Sequence, residues 1–82
     1  MKPMGWAIRV TYTQRPFVGM QHYRLREDRL EDMGYQFDRK ELYRTKKIAS
    51  RIAARYAKNS AFGAEVYDVV KILQTRQEEI MA

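Results

Sequence analysis

The segment WAIRVTYT, residues 6–13, decides the fold because its side chains alternate between larger apolar types and mostly polar types. One face of the segment consists of Trp6, Ile8, Val10 and Tyr12. The other face consists of Ala7, Arg9, Thr11 and Thr13. A period of two predicts a β-strand that buries one face. The following QRPFVG, residues 14–19, predicts a hairpin loop, because Pro16 lacks a backbone donor and Gly19 tolerates positive φ.

Alternation resumes over residues 20–26 and predicts a second strand beside the first. We expect Tyr23 to join Trp6 and Tyr12 on the apolar face. The outward face of the hairpin would then carry Arg9, Thr11, His22, Arg24 and Arg26. Residues 27–34, with four acids, predict a polar turn or a surface loop.

A helix is expected after Asp38, which forms a capping box with Glu41 between the staple positions Phe37 and Leu42. Thr45 is an alternative N-cap, which would leave residues 39–44 extended. The apolar residues of this helix share one arc and are Leu42, Ile48, Ala49, Ile52, Ala53 and Tyr56. Asn59 and Ser60 mark its end.

Residues 64–73 are rich in β-branched and aromatic types and predict a third strand, followed by a helical tail. One amphipathic helix over residues 64–82 is the alternative, because Val66, Val69 and Leu73 also repeat with helical spacing. We therefore predict a single α+β domain, residues 1–82. In it, a small antiparallel sheet (the hairpin plus a third strand) packs on one amphipathic basic helix, in the order β-β-α-β with a C-terminal helical tail. The other face of the sheet is expected to meet water.

The composition restricts the function classes. The chain of 82 residues has no cysteine, so disulfides and thiolate metal sites are excluded. His22 has no partner visible in the sequence, and no phosphate-binding glycine loop is present. We expect a non-enzymatic protein without cofactor or metal. No apolar stretch approaches 18 residues and no leader is visible, so we expect a cytoplasmic protein that does not meet a membrane.

Positive charge is concentrated in one segment. The chain carries 16 Lys and Arg against 10 Asp and Glu, a net charge of +6. Six of the basic residues lie between residues 44 and 58, where there is no acid, so the rest of the chain is balanced. On a helical projection, five of them share an arc opposite Ala49 and Ala53. These five form the basic stripe: Arg44, Lys47, Arg51, Arg55 and Lys58.

The basic stripe indicates a binding function. Like charges at i,i+4 spacing cost about 0.2–0.5 kcal/mol per pair, and no acid is interleaved to relieve them. We expect the stripe to contact phosphates of DNA or RNA with low sequence specificity, with Arg24 and Arg26 as outlying contacts. The alternative is a solvated face whose charges pair with the acids Glu27, Asp28, Glu31 and Asp32.

The layout of a short hairpin, the basic helix TKKIASRIAARYAK and the closing AEVYDVVKI resembles small phage-encoded accessory proteins, including inhibitors of host defence of the anti-CRISPR type. The resemblance implies a second hypothesis, a protein-binding inhibitor or adaptor that docks on an acidic surface of a nucleic-acid-processing complex. Tyr43 and Tyr67 would then be exposed anchors. A homodimer is a further expectation, and a small basic ribonuclease that uses His22 or the stripe ranks last.

Overall fold

The computed structural model describes residues 3–60, 63–74 and 77–80. Within this part of the chain the protein is an α+β fold with an antiparallel sheet and one α-helix. The elements are the strands β1 (Gly5–Tyr12), β2 (Gln21–Arg24) and β3 (Leu30–Asp32), the helix α1 (Lys46–Asn59) and the strands β4 (Glu65–Gln74) and β5 (Gln77–Ile80). The sheet order is β3-β2-β1-β4-β5.

The strands β1 and β4 confirm two predictions, and the order of elements corrects a third. The alternative of one helix from residue 64 is wrong, because β4 pairs with β1 along its length. The predicted order β-β-α-β lacks β3, and the helical tail is wrong over residues 77–80, where β5 pairs with β4. Both errors have one cause: propensity favours loop or helix in these acid-rich segments, and pairing to a neighbouring strand overrides it.

The register of the hairpin places the side chains of β2 on the faces opposite to those predicted. Arg9 stands opposite Tyr23, and Val10 stands opposite His22. Gly19 donates its backbone N–H to the carbonyl of Tyr12 at 2.8 Å, while the N–H of Tyr12 donates to the carbonyl of Met20 at 2.9 Å. Two residues therefore oppose one, as in a glycine β-bulge, and Gly19 has the required positive φ of 85°.

This bulge shifts the strand by one residue, which exchanges the faces of every following side chain. Tyr23 therefore packs on the same face as Ala7, away from α1. His22 and Arg24 lie on the face that α1 covers, so the predicted outward face containing both of them is wrong.

The core lies on both sides of the sheet. On one side α1 packs Ala49 and Ala53 against Ile8 and Tyr43. On the other side the segment 35–42 covers a second cluster, which consists of Ala7, Tyr23, Leu25, Phe37, Leu42, Val70 and Ile72. The expectation that this second face meets water is therefore wrong for the half of the sheet that Phe37 and Leu42 cover.

The helix begins later than the capping box predicts. The Asp38 carboxylate accepts from the N–H of Lys40 at 3.2 Å, but it caps only a 3-10 turn, Arg39–Glu41. Tyr43 and Trp6 then exchange backbone hydrogen bonds of 2.8 Å, which hold residue 43 in a bridge to β1. The alternative N-cap is confirmed, since the Thr45 hydroxyl accepts from the N–H of Ile48 at 3.2 Å.

Candidate nucleic-acid interface

Four members of the basic stripe lie on α1 and follow its solvent side. They are exposed, whereas Ala49 and Ala53 on the opposite side are buried against the sheet. The four are Lys47, Arg51, Arg55 and Lys58. At about 1.5 Å per residue the row extends over about 16 Å. The fifth member, Arg44, is exposed but precedes the N-cap, so its predicted place on the helix is wrong.

The acids of residues 27–32 form their ion pairs away from the stripe. Asp28 accepts a hydrogen bond from the Tyr56 hydroxyl and lies 4.0 Å from the Arg24 guanidinium. Glu31 lies 2.9 Å from Arg29. Over residues 3–60 and 63–73, no member of the basic stripe makes an ion pair with an acid within 4.0 Å. These acids therefore form no direct ion pair with the stripe in this part of the chain, although Glu27 and Asp28 line the same cavity as Arg55.

The two predicted outlying contacts differ in accessibility. Arg24 is half-buried, with its guanidinium 4.5 Å from the centroid of the Tyr56 ring. The same ring stacks on Tyr67, with the two ring centroids 5.8 Å apart and an interplanar angle of 20°. Arg24 thus packs against α1 and is not part of the candidate interface. Arg26 is exposed, and its Nη1 donates to the Lys40 carbonyl at 3.1 Å.

The expectation that Tyr43 and Tyr67 are exposed anchors is wrong. Tyr43 is buried, and its hydroxyl donates to the Leu25 carbonyl at 3.2 Å. Burial raises the pKa of Tyr43. Tyr67 is half-buried against Tyr56, and burial, followed by its hydrogen bond to Glu65, raises its pKa. Neither ring is free to act as an interface anchor.

Beside the stripe, a groove separates α1 from the loop that follows β2. We call it the arginine groove. It consists of two adjoining cavities of about 280 and about 290 Å³, which share Glu27, Tyr43 and Ile52. Its remaining lining residues are Arg26, Asp28, Arg44, Ile48, Arg55 and Tyr56. The loop closes one side of the groove, where Glu27 and Asp28 adopt left-handed φ values of 61° and 58°.

Sequence reasoning missed this groove. It assigned Ile48 to the buried arc of the helix, but 42% of Ile48 is exposed. The available signal was the position of Ile48 at the border of that arc, three residues before Arg51. The proximity of residues 26–28 to α1 had no signal, because it depends on the left-handed turn and the register of β2.

Other site chemistry is sparse in the part of the chain that the structure describes. No group of three or more metal-ligating side chains is found there. His22 lies beside the Tyr12 ring at 5.3 Å, and burial, followed by the charge of Arg24, lowers its pKa. Among the same residues, no helix has the length and apolar content needed to cross a membrane.

Comparison of the chain with protein-family models, with curated proteins and with solved structures finds no match.

Proposed function

We propose that the protein is a non-enzymatic nucleic-acid-binding protein that contacts phosphates through the basic stripe. The observation that supports this most is the row of four exposed cations on α1, none of which has an ion-pair partner among the described residues. Repulsion along such a row is relieved when phosphates neutralise it, and the release of counterions adds affinity. Since phosphate contacts carry no sequence information, low sequence specificity follows.

A salt titration tests the proposal. If four phosphates are neutralised on a duplex, the logarithm of the association constant should fall with the logarithm of salt concentration with a slope of about −3.6. Affinity would then drop about a hundredfold between about 50 and about 200 mM salt. Fluorescence anisotropy with a labelled oligonucleotide measures this slope. A slope near zero would overturn the proposal.

A matched pair of variants separates the location of charge from its amount. The double variant Arg51→Gln, Arg55→Gln removes two charges from the stripe and should lower the magnitude of the slope by about 1.8. The control Arg15→Gln, Lys46→Gln removes two exposed charges, one in the hairpin loop and one on α1 outside the stripe. It should leave the slope nearly unchanged. Equal effects of the two variants would indicate attraction by net charge alone.

A second candidate function, a protein-binding inhibitor or adaptor, is favoured by the hairpin loop. Phe17, Val18 and Met20 are exposed there by 53%, 60% and 56%. Adjacent exposed apolar side chains are typical of protein-binding surfaces. Pull-down from nuclease-treated lysate tests this candidate: a stoichiometric protein partner should be retained and should be lost with Phe17→Ser, Val18→Ser. Loss of all partners after nuclease treatment favours the nucleic-acid proposal.

A further inference from the structure

The arginine groove borders the basic stripe directly. Its floor includes Ile48 and Ile52, which lie one helical turn apart on the same side of α1. Arg51 and Arg55 follow these isoleucines by three residues each, so an apolar surface lies next to the row of cations. A ligand whose phosphates follow the stripe is therefore brought beside an open apolar surface.

The rim of the groove carries both signs of charge. Arg26, Arg44 and Arg55 are exposed, and none of them pairs with an acid within 4.0 Å in the described part of the chain. The groove is also lined by the exposed carboxylates of Glu27 and Asp28, which follow Arg26 in the same loop. The arginines thus attract an anionic group, and the carboxylates can accept a hydrogen bond from a donor on the same ligand.

We propose that the arginine groove holds an unpaired nucleobase, and that the preferred ligand is a single-stranded nucleic acid. A nucleotide carries an anionic phosphate for the arginines and a flat base for the isoleucine floor. In cytosine, the base also has an amino group that can donate a hydrogen bond to a carboxylate. An acidic peptide provides carboxylates for the arginines but no regularly spaced planar bases for the isoleucine floor. This inference rests on the proposed function and specifies its substrate class.

A base inside a duplex cannot enter the groove, because it is stacked and paired with its partner. Sequence-tolerant proteins that bind single strands combine a basic track with surfaces that receive bases, usually aromatic ones. Here the Tyr56 ring is already engaged, since Arg24 lies over it and Tyr67 stacks on it. The aliphatic pair Ile48 and Ile52 takes this role.

The test compares a single-stranded oligodeoxycytidylate, an oligothymidylate of equal length and a duplex with the same number of phosphates. The protein should bind the oligodeoxycytidylate about tenfold more tightly than the duplex, near the low end of the range known for one base stacked on an aromatic side chain. Ile48→Ser should remove this preference and leave salt-dependent binding of the duplex intact. Glu27→Gln should reduce the preference for oligodeoxycytidylate over oligothymidylate.

The control is Val66→Ser, which replaces an exposed apolar residue on the sheet face opposite α1. It should not alter the ratio of single-strand to duplex affinity. Circular dichroism and urea unfolding establish that each variant is folded. Salt-dependent binding with equal affinity for the single strand and the duplex would overturn the groove proposal but not the proposed function. An unchanged preference in Ile48→Ser would do the same. Absence of salt-dependent binding to any of the three probes would overturn the proposed function as well.

Discussion

Two charge-rich regions of the molecule differ in whether their charged side chains form ion pairs. Between β2 and the turn at residues 39–41, cations and acids neutralise each other: Arg29 lies 2.9 Å from both Glu31 and Glu41. Along α1, the cations face solvent without such partners among the described residues. The first region uses charge to hold the chain in place, and the second keeps its charge available. We interpret the second region as a surface that requires an external partner.

Strand geometry explains why the two regions do not neutralise each other. Glu31 stands opposite Tyr23 in the sheet, and Tyr23 faces away from α1. Glu31 is therefore directed to the opposite side of the sheet from the stripe. Asp28 does face α1, but the left-handed turn brings it to Arg24 and to the hydroxyl of Tyr56. The register of β2 thus keeps Glu31 away from the stripe, and the Asp28 carboxylate is engaged by Arg24 and Tyr56.

The largest effect is expected where the chain passes from the paired region to α1. There the segment Leu42–Tyr43 crosses Gly5 so closely that an added Cβ would lie 2.6 Å from the Cβ of Leu42 and 2.9 Å from the Tyr43 carbonyl. Gly5→Ala should lower the free energy of unfolding by about 2–3 kcal/mol, the upper range for overpacking. Urea unfolding measures the change. An unchanged midpoint would show that this crossing tolerates a side chain.

The next effect breaks the paired region itself. The Glu41 carboxylate accepts from Arg29 at 2.9 Å and from the Tyr35 hydroxyl at 2.5 Å, and its side chain is only 11% exposed. Glu41→Ala should lower the free energy of unfolding by about 1–2 kcal/mol, because two donors lose a partly buried acceptor. The control Glu27→Ala, at an exposed acid of the neighbouring loop, should remain within about 0.5 kcal/mol of the parent protein. Equal effects would contradict a structural role for the pairing.

The sequence predicted the elements that depend on periodicity and missed those that depend on pairing. The alternation in residues 6–13 and the β-branched density of residues 64–73 were sufficient for β1 and β4. The strand β3 has three residues, two of them acids, so its conformation comes from β2 and not from its own propensity. In the same way, the sequence predicted that the cations of α1 share one face of the helix but could not predict the groove beside them.

A smaller effect tests whether the stripe is retained at a cost to stability. Arg51 has like charges at i−4 and i+4, Lys47 and Arg55, so Arg51→Gln removes two repulsive pairs. The free energy of unfolding should rise by about 0.4–1 kcal/mol while affinity for nucleic acid falls. Arg15→Gln is the control, because it removes an exposed cation in the hairpin loop, outside the helix. If Arg51→Gln does not increase stability, the row of cations imposes no measurable strain on the helix.

The smallest effect concerns His22, which lies beside Arg24 on the face of the sheet that α1 covers. Burial and the charge of Arg24 lower the pKa of His22 below the ordinary 6.5. The folded state therefore binds fewer protons than the unfolded state in this range, and the free energy of unfolding should fall as the pH drops through about 6.5 toward the folded pKa. Urea midpoints measured from about pH 8 to about pH 5.5 should decline less in His22→Gln, since the other titrating groups are common to both proteins. Equal declines would mean that the charges of Glu65 and Asp32 offset both burial and the charge of Arg24 at His22.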